Sequence, residues 1–181
     1  TAFAFQKINA FVYHRFGDDR YPSTNIDLDR FEAHLKYLRD NNYELVTISE
    51  AMKILGNKKP SKEKLAAIII DDAYKSFYQN RLRLLKKYGF NATLYVNKGT
   101  VGAGDYMTWH QLIDAQDQGI EIGNHSHSSE YFLNLNPQEF TIDLIESEKE
   151  FLINLRKQPR SLAYPHVEWN EEMAYTQDTA G

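Results

Sequence analysis

Leu65-Ala-Ala-Ile-Ile-Ile70-Asp71-Asp72 is the segment around which the rest of the chain arranges itself. Its apolar run shows no alternation, so no face of it is meant for water, and it reads as a central parallel strand covered on both sides. Two carboxylates follow at once. Crowding like charge at the end of a buried strand is unfavourable unless a cation or hydrogen bonds compensate, and a cation is the economical answer.

Working outward, apolar stretches bounded by turn residues alternate with stretches of helical period, the signature of βα units around a parallel sheet. Upstream, Ile8 to Tyr13 reads as the first strand. Leu28, Phe31, Leu35 and Leu38 then share one face of a helix, and Tyr43 to Val46 forms a short strand. Thr47-Ile-Ser-Glu50 has the capping-box spacing for a helix from Ser49 to Leu55.

Downstream, the pattern predicts a helix through Phe77, Leu82, Leu85 and Tyr88 that stops at Gly89, then a strand from Ala92 to Val96. Thr108-Trp-His-Gln111 opens another helix, which ends at Gly119 before the strand Ile120 to Gly123. Asn136-Pro137-Gln-Glu139 supplies an N-cap, a proline at the first helical position and a glutamate at the third, for a long helix with Phe140, Leu144, Phe151, Leu152 and Leu155 inward. Ser161 to Tyr164 is the last strand expected, and a final helix begins near Asn170. An open doubly wound sheet and a (β/α) barrel both fit this order. A complete barrel needs roughly 200 residues or more, so the expectation is α/β with a distorted or incomplete (β/α) barrel.

Composition narrows the partners. The 181 residues hold 21 Lys plus Arg against 25 Asp plus Glu, a formal net charge of −4, and no cysteine. Phosphate neutralisation calls for a basic excess, so nucleic acid is excluded as the expected partner. No run reaches the roughly 18 apolar residues of a membrane helix, and the opening Thr1-Ala-Phe-Ala-Phe-Gln-Lys7 lacks signal-peptide architecture. Absence of disulfides suits either side of a membrane. Residues 1–181 show no linker, repeat or low-complexity tract and read as a single domain.

In parallel α/β folds, chemistry sits just beyond the C-terminal ends of the strands. Beyond the first lie Tyr13-His14-Arg15, beyond the third Asp71-Asp72, beyond the fifth Asn124-His125-Ser-His127-Ser-Ser129, and beyond the sixth Pro165-His166 with Glu168 and Trp169. Four of the six histidines therefore gather at one end, while His34 and His110 fall inside helices as packing or surface residues. Imidazoles with a carboxylate suit Zn²⁺ or a similar divalent ion, and a catalytic site leaves one position open for water. Metal-assisted hydrolysis follows from that donor set.

An apolar strand ending in Asp71-Asp72, then Gly123-Asn-His-Ser126, then Leu162-Ala-Tyr-Pro165, resembles the NodB-type polysaccharide deacetylases of carbohydrate esterase family four. Tyr13-His14-Arg15, Met107-Thr-Trp109 and Glu168-Trp-Asn170 support the likeness, which covers nearly the whole chain. The resemblance implies a distorted (β/α) barrel with an open groove that removes acetyl groups from N-acetylated sugars of a polysaccharide, outside the cytoplasm. It implies Asp71 as general base, Asp72 and His125 as ligands of a divalent metal, with zinc the first choice, and the backbone N–H of His166 as oxyanion donor. His14, Tyr164, Pro165 and Trp169 are expected to face the sugar. The family's second histidine ligand falls at Ser129, with His127 as its substitute. A Leu-x-x-His motif carrying the general acid has no counterpart before Gly181, so the chain is expected to stop short of it.

Two other functions compete. A carbohydrate-binding protein of the same fold with weakened or lost catalysis would follow from Ser129 and the missing last motif. A glycoside hydrolase using Asp71 and Asp72 is disfavoured, because adjacent residues do not hold carboxylates roughly 5 Å or more apart across one bond.

Overall fold

The structure, a computed structural model, describes residues 7–57, 64–127 and 135–164; the helix expected near Asn170 lies outside them. In chain order the strands are β1 (Ile8–Tyr13), β2 (Arg15–Phe16), β3 (Asn25–Ile26), β4 (Tyr43–Leu45), β5 (Lys64–Ile70), β6 (Thr93–Val96) and β7 (Glu121–Asn124). The helices are α1 (Leu28–Asp40), α2 (Ile48–Gly56), α3 (Lys75–Asn80), α4 (Leu82–Tyr88), α5 (Trp109–Asp117) and α6 (Pro137–Leu155).

The strand β5 is the hub, as its unbroken apolar run requires. One edge pairs with β1 from Leu65 to Ile70. The other is shared, by β4 from Lys64 to Ala66 and by β6 at Ile69 and Ile70. β6 continues to β7, and every one of these pairings is parallel. Two strands diverging along one edge give the sheet its distortion, and among the described residues the barrel does not close. The α/β class and the distorted barrel are as expected. β2 and β3 form a separate two-stranded parallel ribbon, which two-residue strands are too short to announce by periodicity.

Local signals place the helix starts. Thr47 with Glu50, Thr108 with Gln111, and Asn136 with Glu139 each form a reciprocal capping box. Gly89 closes α4 at φ 67°, a left-handed conformation that glycine adopts without a Cβ clash.

Three expectations are corrected. The single helix from Phe77 to Tyr88 is two, broken at Arg81 with φ −132°. Phe77 and Leu82 are five residues apart, a spacing that an unbroken helix would spread over different faces; the break re-phases the chain so that both are buried. On α6, Leu152 points outward and is 50% exposed, while Asp143 and Ser147 are buried on the inward side. The Ser161 to Tyr164 segment contributes one parallel bridge, Leu162 to Asn124, rather than a strand.

The core is centred on aromatic rings from four elements, β1, β2, α1 and α3. Phe31 of α1 meets Tyr13 and Phe16 edge-on at centroid distances of 5.0 and 4.9 Å, and Phe16 meets Phe77 of α3 at 5.6 Å. This cluster lies beneath the rim where β1 and β5 end. Among the described residues no helix is long and apolar enough to cross a membrane.

Candidate active site

Parallel strands bring their C-terminal ends to one rim. β1 delivers His14 there, β5 delivers Asp71 and Asp72, β6 delivers Asn97, and β7 delivers His125.

Asp71 extends the β1–β5 ladder by one step, its N–H donating to the Tyr13 carbonyl at 2.8 Å. Its carboxylate is less well provided for. Among the described residues buried Oδ1 has no hydrogen-bond partner, and Oδ2 lies 3.9 Å from His14 Nε2. Burial pushes the Asp71 carboxyl above the usual carboxylate range; His125 and His14 pull it back, and the like charge of Asp72 reinforces the rise.

Asp72 and Ala73 both take left-handed backbone, at φ 66° and 53°. Two such residues in succession are strained, of order 1–3 kcal/mol each, and persist only where surroundings dictate them. Here Met107 N–H donates to the Ala73 carbonyl at 2.9 Å and Lys75 N–H to the Asp105 carbonyl at 2.7 Å. The turn brings Asp72 Oδ1 to within 3.7 Å of His125 Nε2.

His125 is held on several sides. Its N–H donates to the Val96 carbonyl at 3.0 Å, and its carbonyl accepts from Asn97 Nδ2 at 3.3 Å. Nδ1 lies 2.8 Å from the Ala163 carbonyl. A carbonyl only accepts, so Nδ1 carries a proton, and in the neutral ring the lone pair is that of Nε2, the nitrogen that faces Asp72. That is the tautomer of a metal-ligating histidine. Zinc sits about 2.0–2.2 Å from nitrogen and carboxylate ligands, so donors 3.7 Å apart can share one ion. The residues present therefore fit a divalent metal. Among the described residues no group of three His, Cys, Asp or Glu side chains comes together to hold one. Ser129, Pro165, His166 and Trp169 lie outside the described residues.

Tyr164 is half-buried, its ring stacked on Phe140 at 6.4 Å in a small cluster with Leu144 and Leu162. Of the two helical histidines, His34 reaches the Tyr13 hydroxyl at 3.0 Å. Burial pushes the Tyr13 phenol up to about 12.

Several rim residues escaped the sequence reading. Arg15 was placed at the rim by the sequence, but its partners were not: its guanidinium lies between the Tyr21 and Tyr74 rings, at 3.7 and 3.6 Å from their centroids, and pairs with Asp18 at 3.1 Å. Tyr74 in turn stacks on Tyr106 at 4.9 Å. Buried Asn97, and Asp143 and Ser147 of α6, also bond to the segment around His125. Of the residues the sequence left unmarked, only Asn97 had a signal, its position beyond a strand end.

Residues 58–181 match the polysaccharide deacetylase family. The protein YxkH of Bacillus subtilis is 30% identical over 175 residues, which is 97% of this chain and 62% of that protein. A poly-beta-1,6-N-acetyl-D-glucosamine N-deacetylase of Staphylococcus aureus is 26% identical, over 91% of this chain and 61% of its own length. The chain thus spans about three fifths of the length of these curated relatives. The structure of the Streptococcus pyogenes deacetylase PplD in complex with acetate superimposes with a TM-score of 0.90, covering 98% of this chain and 81% of that one. At 21% identity that likeness speaks of the fold alone.

Proposed function

We propose that this chain, which belongs to the polysaccharide deacetylase family, is a metal-dependent hydrolase that removes acetyl groups from N-acetylglucosamine-containing polysaccharide. The observation that carries the proposal is the Asp72–His125 pair, with Nε2 turned to a carboxylate 3.7 Å away and, among the described residues, an orphan carboxylate oxygen on the neighbouring Asp71. Asp72 and His125 would hold the ion, with Ser129 or His127 as the further ligand. A bound divalent metal, zinc in the first instance, polarises the acetyl carbonyl and acidifies water.

The remaining chemistry belongs to the side chains. Asp71 takes the proton of the attacking water at Oδ1, the oxygen that has no other partner. Its raised proton affinity suits a base, since a carboxyl of ordinary affinity accepts protons poorly near neutrality. His14, 3.9 Å from Oδ2, steadies the orientation of that carboxylate. The backbone N–H of His166 would donate to the oxyanion, and Tyr164, Pro165 and Trp169 would border the sugar. The S. aureus relative is named for poly-beta-1,6-N-acetyl-D-glucosamine, which supports the reading of a substrate of that class, met outside the cytoplasm.

The test is acetate release from a panel of N- and O-acetylated glycans that includes poly-β-1,6-N-acetylglucosamine. Release should occur from the N-acetylated polymer, stop on chelation, and fall by about 10²- to 10⁴-fold in a folded Asp71→Asn variant. Undiminished release in that variant overturns the role of Asp71. Glycan binding with no acetate release under any metal is the outcome of the non-catalytic alternative.

A further inference from the structure

The inward stripe of α6 runs through Phe140, Leu144, Ser147, Phe151 and Leu155, with Asp143 beside it. Two polar residues thus stand where a core-facing helix carries apolar ones. Asp143 is 7% exposed and Ser147 fully buried. A carboxylate and a hydroxyl in such positions are unfavourable unless they are hydrogen-bonded.

Their partners lie at the end of β7 and in the segment that follows it. Ser147 Oγ accepts from Asn124 Nδ2 at 2.7 Å and passes its own proton to the Leu144 carbonyl at 2.9 Å. Asp143 Oδ1 accepts the His127 N–H at 3.0 Å. Asn124 Oδ1 accepts the Ser126 N–H at 2.9 Å, across a turn in which Ser126 has φ 75°. His125 is the residue between these two attachments. Its ring is tied at Nδ1 to Ala163, so its remaining freedom is that of the backbone carrying it. α6 restricts that freedom through Asp143 and Ser147, alongside the bonds from β6 and the turn after it.

We propose that Asp143 and Ser147 are positioning residues that hold the Asn124–His127 segment so that His125 Nε2 faces Asp72, and that they thereby set the affinity of the site for a divalent cation. The inference rests on the reading of Asp72 and His125 as a ligand pair. Donors that are already convergent lose little freedom when an ion arrives; donors on a loose segment must first be ordered.

Calorimetric titration of the chain with zinc tests this, alongside thermal melting of each protein. Zinc should bind the wild type and not Asp72→Ala. Asp143→Ala and Ser147→Ala should each bind about 10- to 100-fold more weakly, below their melting temperatures and with native circular dichroism. Asp143→Asn keeps an oxygen acceptor for the His127 N–H and should recover most of the lost affinity. If the alanine variants melt earlier yet bind zinc as tightly as the wild type, the two residues are structural only and the proposal fails. Zinc binding that survives Asp72→Ala, or its absence from the wild type, overturns the ligand pair itself and the proposal with it. Should Asp143→Ala not fold, Ser147→Ala, which removes a single hydroxyl, decides the matter.

Discussion

Asp71 carries charge where its surroundings favour none. Its Oδ1 is buried without a partner, and burial holds its proton affinity above the ordinary carboxylate value of about 3.9. A carboxyl that binds its proton more tightly folded than unfolded opposes folding once both states would otherwise be ionised, and ceases to oppose it when both are protonated. In the metal-free protein, Asp71→Asn should therefore be more stable than the wild type at pH 7. The advantage should shrink as pH falls through the raised folded value and vanish below about 4. Urea denaturation of the two proteins across that range checks it; an advantage that grew toward acid would refute the sign. The residue thus trades stability for a base, a common pattern at active sites. Its type and place were legible in the sequence, since two carboxylates ending an apolar strand invite the question of what neutralises them. Which oxygen stays unpartnered was not, because that depends on β1 and β7 as well as β5.

Among the elements, the short 3-10 turn Lys98–Thr100 beyond β6 bears on the same segment as α6 does. Lys98 N–H donates to the Ser126 carbonyl at 3.0 Å and Gly99 N–H to the His127 carbonyl at 2.8 Å. A Cβ on Gly99 would collide with that His127 carbonyl oxygen, which is backbone and cannot swing aside. Gly99→Ala should cost about 1–3 kcal/mol by overpacking and weaken zinc binding along with stability. Denaturation and titration of the variant check this, and wild-type values in both would contradict it. Legibility at this scale follows locality. The three capping boxes were readable because each is closed within four residues. The break at Arg81 had a signal in the mismatch between Phe77 and Leu82, while Asp143 and Ser147 had none, since the atoms that satisfy them lie on a distant part of the chain.

For the molecule as a whole, the order of strands and helices and the common rim were readable from alternation alone, because a parallel sheet forces both. The division of one β5 edge between β4 and β6 was not, since both are short apolar segments equally able to pair. Stability is concentrated beneath the rim, where Tyr13, Phe16, Phe31 and Phe77 join β1, β2, α1 and α3. Phe31→Ala should cost about 3–5 kcal/mol, a large part of the 5–15 kcal/mol that a domain ordinarily has, and a urea midpoint close to wild type would contradict it. The shared edge of β5 also sets an order of events during synthesis. β1 and β4 are made first, yet neither has a neighbour until β5 emerges, and β6 completes that edge later still. Until then β1 carries unpaired backbone groups together with Phe11 and Val12, which stay exposed even in the finished fold. The nascent chain therefore passes through an interval in which its first strand is an open template for association with other chains, and the speed at which residues 64–70 follow sets how long that interval lasts.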